Sequence, residues 1–342
     1  MANDINLPKL KDKYICVNKE CYTIKIVKND FDTYLKSLPL SLTTEIIIPS
    51  VSKYNLTSDK VLDLELALLF LSSSINKLNA YFGKPIAYPI KIDDLVLINL
   101  ENAKLHYNSK TFNSIYPNLP DNMLIFIPIG IARTLSSNLH HLTILVIDKL
   151  SSTFTYYEPY GYYDIKPNSS ERAIYNNGFD KLIEMMHISF PNFKYIDAHE
   201  DDSLIKEIGV QRRSESTYYN IPNSGYCVAW CTYICYLRLF NYHLSPRYPI
   251  TVLLNKVFVF YTNEQLLDMI KRFVEYIKHQ FTGFKNDLFN LRDFYSVYDQ
   301  SVDISKSIDI NMNETSNETE MDIEDFMEWQ SDENESESVS GA

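Results

Sequence analysis

The hydrophobic positions along the chain predict a group of buried strands followed by one long buried helix. Four apolar runs between residues 94 and 158 are typical of buried strands: 95–100, 123–129, 140–148 and 153–158. A short turn separates the third and fourth runs, so we expect them to form a β-hairpin. A further apolar stretch, from Gly225 to about residue 240, has the length of a buried helix.

Shorter patterns before and after these runs predict further helices and strands. Helical periodicity is present in 58–79, 170–187 and 264–280, and strand-like runs occupy 21–27, 45–48 and 193–196. We therefore expect an α+β fold with a central mixed sheet. Residues 1–90 are expected to form an N-terminal extension that packs on a core domain of residues 91–298.

The composition changes near Tyr298. The formal net charge of the chain is -12, and the residues from Ser301 onward include 13 acidic residues and one basic residue, so the first 300 residues are neutral overall. Residues 299–342 contain too few apolar side chains to offset the entropy cost of ordering, which predicts a disordered acidic tail. Within the tail, Met321–Trp329 mixes acidic and large apolar residues. It is either a solubilising segment or a linear motif that docks on a basic groove of a partner protein.

Charge and cysteine content argue against several classes of function. The first 300 residues have no basic surplus for binding nucleic acid, and no apolar run is long enough to span a bilayer. The five cysteines, an odd number without a signal peptide, predict a reduced, intracellular protein. Cys16 and Cys21 have no second pair of ligands nearby, which argues against a zinc site. We expect no metal and no cofactor.

Cys227 is the residue that most strongly indicates chemistry, because Gly225-Tyr226-Cys227 opens the predicted buried helix. The first backbone N–H groups of a helix are unpaired and carry partial positive charge, so a thiolate at this position is stabilised. Two other interpretations stay open. Cys227 could be a small core residue, or it could form a metal-binding stripe with Cys231 and Cys235.

The predicted hairpin supplies a base and an acid that can orient it. His141 opens the first strand and Glu158 closes the second, so the hairpin brings them side by side. A carboxylate there can accept a hydrogen bond from the imidazole Nδ1 and direct the other nitrogen toward sulfur. His140 stays open as the base, because neighbours on a strand point to opposite faces. Asp148 stays open as the acid.

Gln211 lies in a predicted polar loop ahead of the cysteine helix. Its amide can donate a hydrogen bond to the oxyanion that forms when a thiolate attacks a carbonyl, together with the backbone N–H of Cys227. The chain therefore contains candidates for all the parts that thiol proteolysis needs: a nucleophile, a base, an orienting group and oxyanion donors.

The order of these residues resembles that of the ubiquitin-like-protein protease and adenovirus protease superfamily of papain-like cysteine peptidases. The resemblance is greatest to a branch found in large DNA viruses, in which an apolar strand ending in Ile-Pro precedes the His strand, as in residues 126–129. In that branch the second strand ends Glu-Pro-x-Gly, as in Glu158–Gly161. Its nucleophile lies in Gly-aromatic-Cys-x-x-Trp, as in Gly225–Trp230. The similar region covers about residues 94–245.

The resemblance implies a papain-like fold, in which the central sheet packs against the helix that bears the nucleophile. Residues 91–298 would then be a cysteine peptidase domain. By the motif match, the nucleophile would be Cys227, the base His141, the orienting acid Glu158 and the oxyanion donor Gln211. The deSUMOylating enzymes have Trp after the His and Gly after the Cys, whereas this chain has Leu142 and Val228.

The sequence therefore predicts an intracellular viral cysteine endopeptidase, located in the host cytoplasm or the virion. Its substrate would be a polypeptide precursor or a ubiquitin-like conjugate. The expected partners are that polypeptide and a protein that binds the acidic tail, with no nucleic acid and no membrane. Two alternatives keep the same fold: an acyltransferase, which would need a basic pocket for acyl-CoA, and a catalytically silent structural or scaffold protein.

Overall fold

The computed structural model describes residues 13–17, 20–27, 31–36, 44–52, 54, 62–133, 139–161, 170–198, 209–215, 226–244, 249–281 and 298–305. These ranges contain a small three-stranded sheet near the N-terminus, a larger seven-stranded sheet and helices that cover both faces of the larger sheet. No helix in these ranges combines the length and the apolar character that crossing a membrane requires.

The small sheet has the strand order β1-β2-β3. It consists of β1 (Tyr14–Val17), β2 (Glu20–Val27) and β3 (Glu45–Pro49), and helix α1 (Phe31–Lys36) lies between the parallel strands β2 and β3. In the antiparallel β1–β2 pair, Cys16 lies directly opposite Cys21, and the two form a disulfide. The expectation that all five cysteines are reduced is wrong for this pair, because the hairpin register places the two side chains next to each other.

The large sheet is mixed, as the sequence predicted. Its strands are β4 (Val96–Asn99), β5 (Lys104–Tyr107), β6 (Leu124–Ala132), β7 (His141–Asp148), β8 (Thr153–Tyr157), β9 (Lys194–Asp197) and β10 (Gln300–Asp303). Their spatial order is β10-β5-β4-β6-β7-β8-β9. The β4–β6 and β8–β9 pairs are parallel and the other neighbouring pairs are antiparallel. The α+β class and the mixed sheet are therefore confirmed.

The remaining α-helices of the described ranges are α2 (Leu64–Phe82), α3 (Tyr116–Asn118), α4 (Ser170–Ser189), α5 (Val210–Glu215), α6 (Cys227–Phe240), α7 (Ile250–Lys256) and α8 (Asn263–Gln280). Helix α2 begins at Leu64, and the side chain of Asp63 caps it by accepting hydrogen bonds from backbone N–H groups of the first turn. It therefore begins later than the predicted position of Ser58.

Two hydrophobic cores lie on opposite faces of the large sheet. Leu142, Ile144 and Val146 of β7 belong to the core that contains α6, whereas Leu145 and Ile147 belong to the core that contains apolar residues of α4. This alternation follows from the two-residue period of a strand. It explains why β7 reads as a continuous apolar run, because both of its faces are covered. Every residue of α6 is buried.

Residues before position 90 pack against the C-terminal end of α6. The side-chain amide of Asn241 accepts a hydrogen bond from the Ile47 N–H at 2.6 Å and donates one to the Ile47 carbonyl at 2.8 Å, as a neighbouring strand would. The Tyr34 hydroxyl donates to the carbonyl of Phe240. These bonds attach the small sheet and α1 to the helix that begins with Cys227.

The sequence analysis placed the start of the acidic tail too early in the chain. Gln300–Asp303 form the edge strand β10, which pairs antiparallel with β5, although the sequence placed residues 299–342 in a disordered tail. Backbone pairing and two hydrogen bonds from Ser109 to the Asp299 carboxylate hold this polar segment, so its low hydrophobicity was a misleading signal. Residues 306–342, including Met321–Trp329, lie outside the described ranges.

Candidate active site

The β7–β8 hairpin places His141 and Glu158 in contact. Ile144 pairs with Tyr157 in this hairpin, and continuing that register puts Thr143 opposite Glu158. His141 is then a diagonal neighbour of Glu158 on the same face of the sheet, within reach of a long side chain. The imidazole Nε2 lies 2.6 Å from Glu158 Oε1, and the exposed fractions of the two side chains are only 17% and 10%. Little water is therefore present to screen the interaction.

Cys227 meets this pair from the other side of the sheet. It is the first residue of α6, and its thiol lies near enough to the His141 imidazole to contribute to the raised pKa of that ring. Because Glu158 occupies Nε2, the nitrogen available to the sulfur is Nδ1. The structure thus brings together three of the four residues that the sequence singled out, with Nε2 rather than the predicted Nδ1 bound to the acid. Nε2, the far nitrogen of the ring, is the one that reaches the acid on the neighbouring strand.

The surroundings of His141 favour its protonated form. Burial alone would lower the pKa of His141, but the Glu158 carboxylate and the hydrogen bonds with Cys227 and Glu158 raise this pKa well above its usual value. An imidazolium is the partner that stabilises a thiolate. The exposed fraction of Cys227 itself is 6%, and as the first residue of α6 it belongs to the helix turn whose N–H groups lack intrahelical partners and carry partial positive charge.

The other two cysteines of α6 have a different character. The Cys231 thiol donates a hydrogen bond to the Leu142 carbonyl, and Cys235 is completely buried. Burial raises the pKa of both thiols well above the usual value, so they stay protonated and unreactive. The described residues also contain no group of three or more His, Cys, Asp or Glu side chains arranged to hold a metal ion. Cys227, Cys231 and Cys235, all of them described, therefore do not form such a group.

Glu158 receives more hydrogen bonds than the sequence indicated. The Tyr160 N–H donates to Oε1 at 2.9 Å, and the hydroxyls of Tyr156 and Tyr175 each lie 3.1 Å from Oε2. Tyr156 was detectable in principle, because it lies two residues before Glu158 and so on the same face of β8. Tyr175 comes from α4, and no local pattern connects it with the acid.

The Glu-Pro-x-Gly segment forms a tight turn that a second segment closes. Gly161 has a φ of 91°, a left-handed conformation that disfavours other residues. The Tyr160 carbonyl accepts a hydrogen bond from the Gly209 N–H, and a Cβ at Gly209 would lie 2.2 Å from the Tyr160 carbonyl carbon. Glycine is thus required at both positions for the chain before α5 to pack on the turn that carries the acid.

Gln211 lies beside this turn, but in helix α5 rather than in a loop. Its N–H donates to the Pro159 carbonyl at 2.8 Å, and its side-chain Nε2 donates to Glu215 Oε1 at 3.0 Å. Its Oε1 is buried and has no hydrogen-bond partner among the described residues. Gln211 is therefore close to the acid, while its amide is directed to Glu215, and the oxyanion role assigned to it stays a prediction.

Helix α5 is also attached to the nucleophile helix. The Ser214 hydroxyl donates to the Gln211 carbonyl at 2.7 Å and accepts a hydrogen bond from the Trp230 indole Nε1 at 3.3 Å. Trp230, the last residue of the Gly-aromatic-Cys-x-x-Trp motif, is completely buried. Its indole therefore links the first turn of α6 to the segment that packs on the acid turn. Gly225, the first residue of the motif, lies outside the described ranges.

The two alternative site residues are placed elsewhere. His140 is exposed, while its neighbour His141 points to the acid and the sulfur. Asp148 lies at the far end of β7, where its Oδ2 accepts a hydrogen bond from Arg238 at 2.9 Å. Neither residue contributes to the cluster of Cys227, His141 and Glu158.

Comparisons of this chain with protein-family models, with curated proteins and with solved structures found no match. The resemblance to the ubiquitin-like-protein proteases is therefore carried by the motifs of the chain.

Proposed function

We propose that this protein is a cysteine endopeptidase with a papain-like fold, which acts through Cys227, His141 and Glu158. One observation carries the proposal: a partly buried imidazole binds a carboxylate at 2.6 Å through Nε2 and lies beside the thiol at the start of a buried helix, and both neighbours raise the pKa of the ring. This is the combination of nucleophile, base and orienting group that covalent thiol catalysis requires.

The first half of the reaction forms a thioester. The Cys227 thiolate attacks the carbonyl carbon of the scissile peptide, a C–S bond forms, and the C=O π electrons move to oxygen. The backbone N–H of Cys227 donates a hydrogen bond to this oxyanion. When the carbonyl re-forms, the C–N bond breaks, and the His141 imidazolium gives its proton to the departing nitrogen, so that a neutral amine leaves.

The second half releases the acyl group. Neutral His141 takes a proton from a water molecule, whose oxygen attacks the thioester carbon. The C–S bond then breaks, the carboxylic acid product leaves, and the imidazolium–thiolate pair is restored. Glu158 exchanges no proton in this scheme, holds the ring through Nε2 and stabilises the imidazolium of the resting state.

The architecture and the motifs support the finer parts of the proposal. The mixed sheet packs against the helix that begins with Cys227, as the resemblance implies, and the viral branch is the one whose motifs this chain matches. At the position where deSUMOylating enzymes have a Trp over the substrate tail, Leu142 is buried in the core beneath α6. A side chain in the core cannot cover a substrate channel, which favours a polypeptide precursor over a ubiquitin-like conjugate as the substrate.

The proposal is tested by covalent labelling of the full-length chain with a peptide that carries a thiol-reactive electrophile. We expect the probe to label the wild-type protein at Cys227, located by mass spectrometry of tryptic peptides. The Cys227→Ala variant should lose the label, whereas Cys235→Ala should keep it, because Cys235 is a completely buried thiol on the same helix.

Three outcomes would contradict the proposal. Equal labelling of Cys227→Ala would show that another group reacts. A wild-type protein that resists the probe would support the silent scaffold instead. Transfer of an acetyl group from acetyl-CoA to Cys227, without cleavage of any peptide, would support the acyltransferase.

A further inference from the structure

The second oxygen of Glu158 is held by two tyrosines that the reaction described above does not use. Oε1 faces His141 and the Tyr160 N–H, while Oε2 lies 3.1 Å from the hydroxyl of Tyr156 and 3.1 Å from that of Tyr175. The two hydroxyls also contact each other. A carboxylate held at both oxygens cannot rotate about its last bond without losing hydrogen bonds, so the direction of Oε1 toward His141 is fixed.

The two tyrosines come from different layers of the molecule. Tyr156 is part of β8, two residues before Glu158, whereas Tyr175 lies on α4, which packs on the sheet face opposite to α6. The Tyr156 ring also packs on Phe179 of α4, with ring centroids 4.1 Å apart. Glu158 is thus supported from the α4 side of the sheet, whereas the sulfur of Cys227 belongs to α6 on the other side.

The hydroxyls of Tyr156 and Tyr175 have fewer hydrogens than the contacts that they make. Burial raises the pKa of Tyr156 and Tyr175 well above the usual value, and the nearby Glu158 charge adds to the effect, so both keep their O–H hydrogens. Two hydrogens must serve three contacts: the two with Oε2 and the one between the hydroxyls. At least one hydroxyl therefore donates to Glu158 Oε2, and the other donates either to the same oxygen or to the first hydroxyl. Removing either hydroxyl takes away one of the two hydrogens that this cluster shares.

We propose that Tyr175, together with Tyr156, is a positioning residue that holds Glu158 so that its Oε1 keeps the His141 ring aligned with Cys227. Tyr175 does not touch the reacting atoms and acts only through the acid. This inference rests on the proposed function for the reaction it serves, but the His141–Glu158 bond that it controls can be measured without any substrate. The titratable groups that interact with Glu158 are His141 from β7, Tyr156 and Tyr157 from β8, Tyr175 from α4 and Cys231 from α6, and for Tyr157 and Cys231 the interaction is only electrostatic.

The experiment compares Tyr175→Phe, Tyr156→Phe and the control Tyr107→Phe in the full-length chain. Tyr107 is a half-buried tyrosine on β5 whose ring packs on Phe112, away from the acid. The first readout is the downfield proton NMR resonance of the His141 imidazole N–H that is bound to Glu158, assigned by its absence in His141→Asn. The second is the rate at which iodoacetamide alkylates Cys227, followed by mass spectrometry.

We expect the downfield resonance to move upfield or broaden in Tyr175→Phe, and the alkylation rate of Cys227 to fall about tenfold, the effect of one hydrogen bond to a charged group. Tyr107→Phe should change neither. Unchanged resonance and rate in folded Tyr175→Phe, or an equal change in Tyr107→Phe, would overturn the inference. If Tyr175→Phe does not fold, Tyr156→Phe decides by the same two readouts.

The same measurements separate this inference from the proposed function. If the electrophilic peptide fails to label Cys227 while the Tyr175→Phe effects are observed, the peptidase proposal fails and the positioning role stands. A wild-type protein without the downfield resonance would remove the bond that Tyr175 is proposed to hold, and the inference would fail even if peptides were cleaved.

Discussion

The two ends of the β7–α6 pair are both held by a buried pair of charged groups, but the two pairs are built differently. At the N-terminal end, His141 lies between Glu158 and Cys227. At the other end, Asp148 of β7 binds Arg238 of α6 at 2.9 Å, with side-chain exposed fractions of 11% and 5%. The strand and the helix therefore run alongside each other, joined at both ends.

The difference lies in how each acid is supplied with donors. Glu158 has the Tyr160 N–H and the two tyrosine hydroxyls in addition to His141, and these donors contact both of its oxygens. The Oδ1 of Asp148 accepts the N–H groups of Leu150 and Ser151, whereas its Oδ2 faces Arg238. The end that contains Cys227, His141 and Glu158, here called the reactive end, can thus lose or move a proton at His141 without leaving a buried carboxylate unsatisfied. The end that contains Asp148 and Arg238, here called the anchoring end, depends on a permanent cation.

The largest effect should follow from removing the base at the reactive end. In His141→Asn we expect the alkylation rate of Cys227 to fall about 10³-fold, as general-base groups typically contribute, because the shorter side chain cannot reach both the acid and the sulfur. The free energy of unfolding should fall by only about 1 kcal/mol, since the remaining donors still satisfy Glu158. The rate is measured with iodoacetamide and the stability by urea unfolding.

His140→Asn is the matched control for this variant, because it alters the exposed histidine that immediately precedes His141. It should leave the alkylation rate within a factor of two of wild type, on the order expected of an exposed surface change. A loss of rate in His140→Asn as large as in His141→Asn would mean that the base has been assigned to the wrong histidine.

The next largest effect should appear at the anchoring end, and in stability. Arg238→Met keeps much of the side-chain volume but leaves Asp148 Oδ2 buried without its cation, so we expect unfolding to become about 3 kcal/mol easier. Because Oδ1 of an asparagine can still accept the turn N–H groups, the double variant Asp148→Asn/Arg238→Met should recover part of this loss. Urea unfolding of the three proteins makes the comparison. A double variant less stable than Arg238→Met would show that the charge of Asp148 has another compensating partner.

The sequence predicted those parts of this arrangement that depend on continuous hydrophobic runs. β7 and α6 are buried on all sides, so their apolar runs were visible without tertiary information. The contact between His141 and Glu158 followed from the hairpin, because two strands with a short turn have few registers available. The position of Cys227 at a helix start followed from the glycine before it and the apolar run after it.

Other features depend on contacts between segments that are distant in the chain. Tyr175 reaches Glu158 only because α4 packs on the back of the sheet, and α5 is a short polar helix held by the hydrogen bond from Gln211 to Pro159. β10 is polar and was placed in the tail, but pairing with β5 orders it. Hydrophobicity along the chain carries no signal for such elements, since hydrogen bonds to neighbouring segments fix them.

The smallest effect is a difference in how the two ends respond to pH. Although burial opposes the change, Glu158 and Cys227 raise the pKa of His141 well above its value of about 6.5 in an unfolded chain. A raised pKa means that the folded state binds the proton more tightly. The stabilisation is therefore fully present below about pH 6.5 and is lost as the pH rises through the folded-state pKa.

This response is isolated by comparing unfolding free energies at several values between about pH 6 and pH 9, the range above the unfolded-state pKa of histidine. The difference between wild type and His141→Asn should shrink as the pH rises, because the titrating groups that do not interact with His141 are common to both proteins and cancel. The difference between wild type and Arg238→Met should stay constant, since a guanidinium keeps its charge throughout this range. If the His141→Asn difference were equally flat, the imidazole would not be held protonated by its two partners, and the contrast between a titrating end and a permanently charged end would be lost.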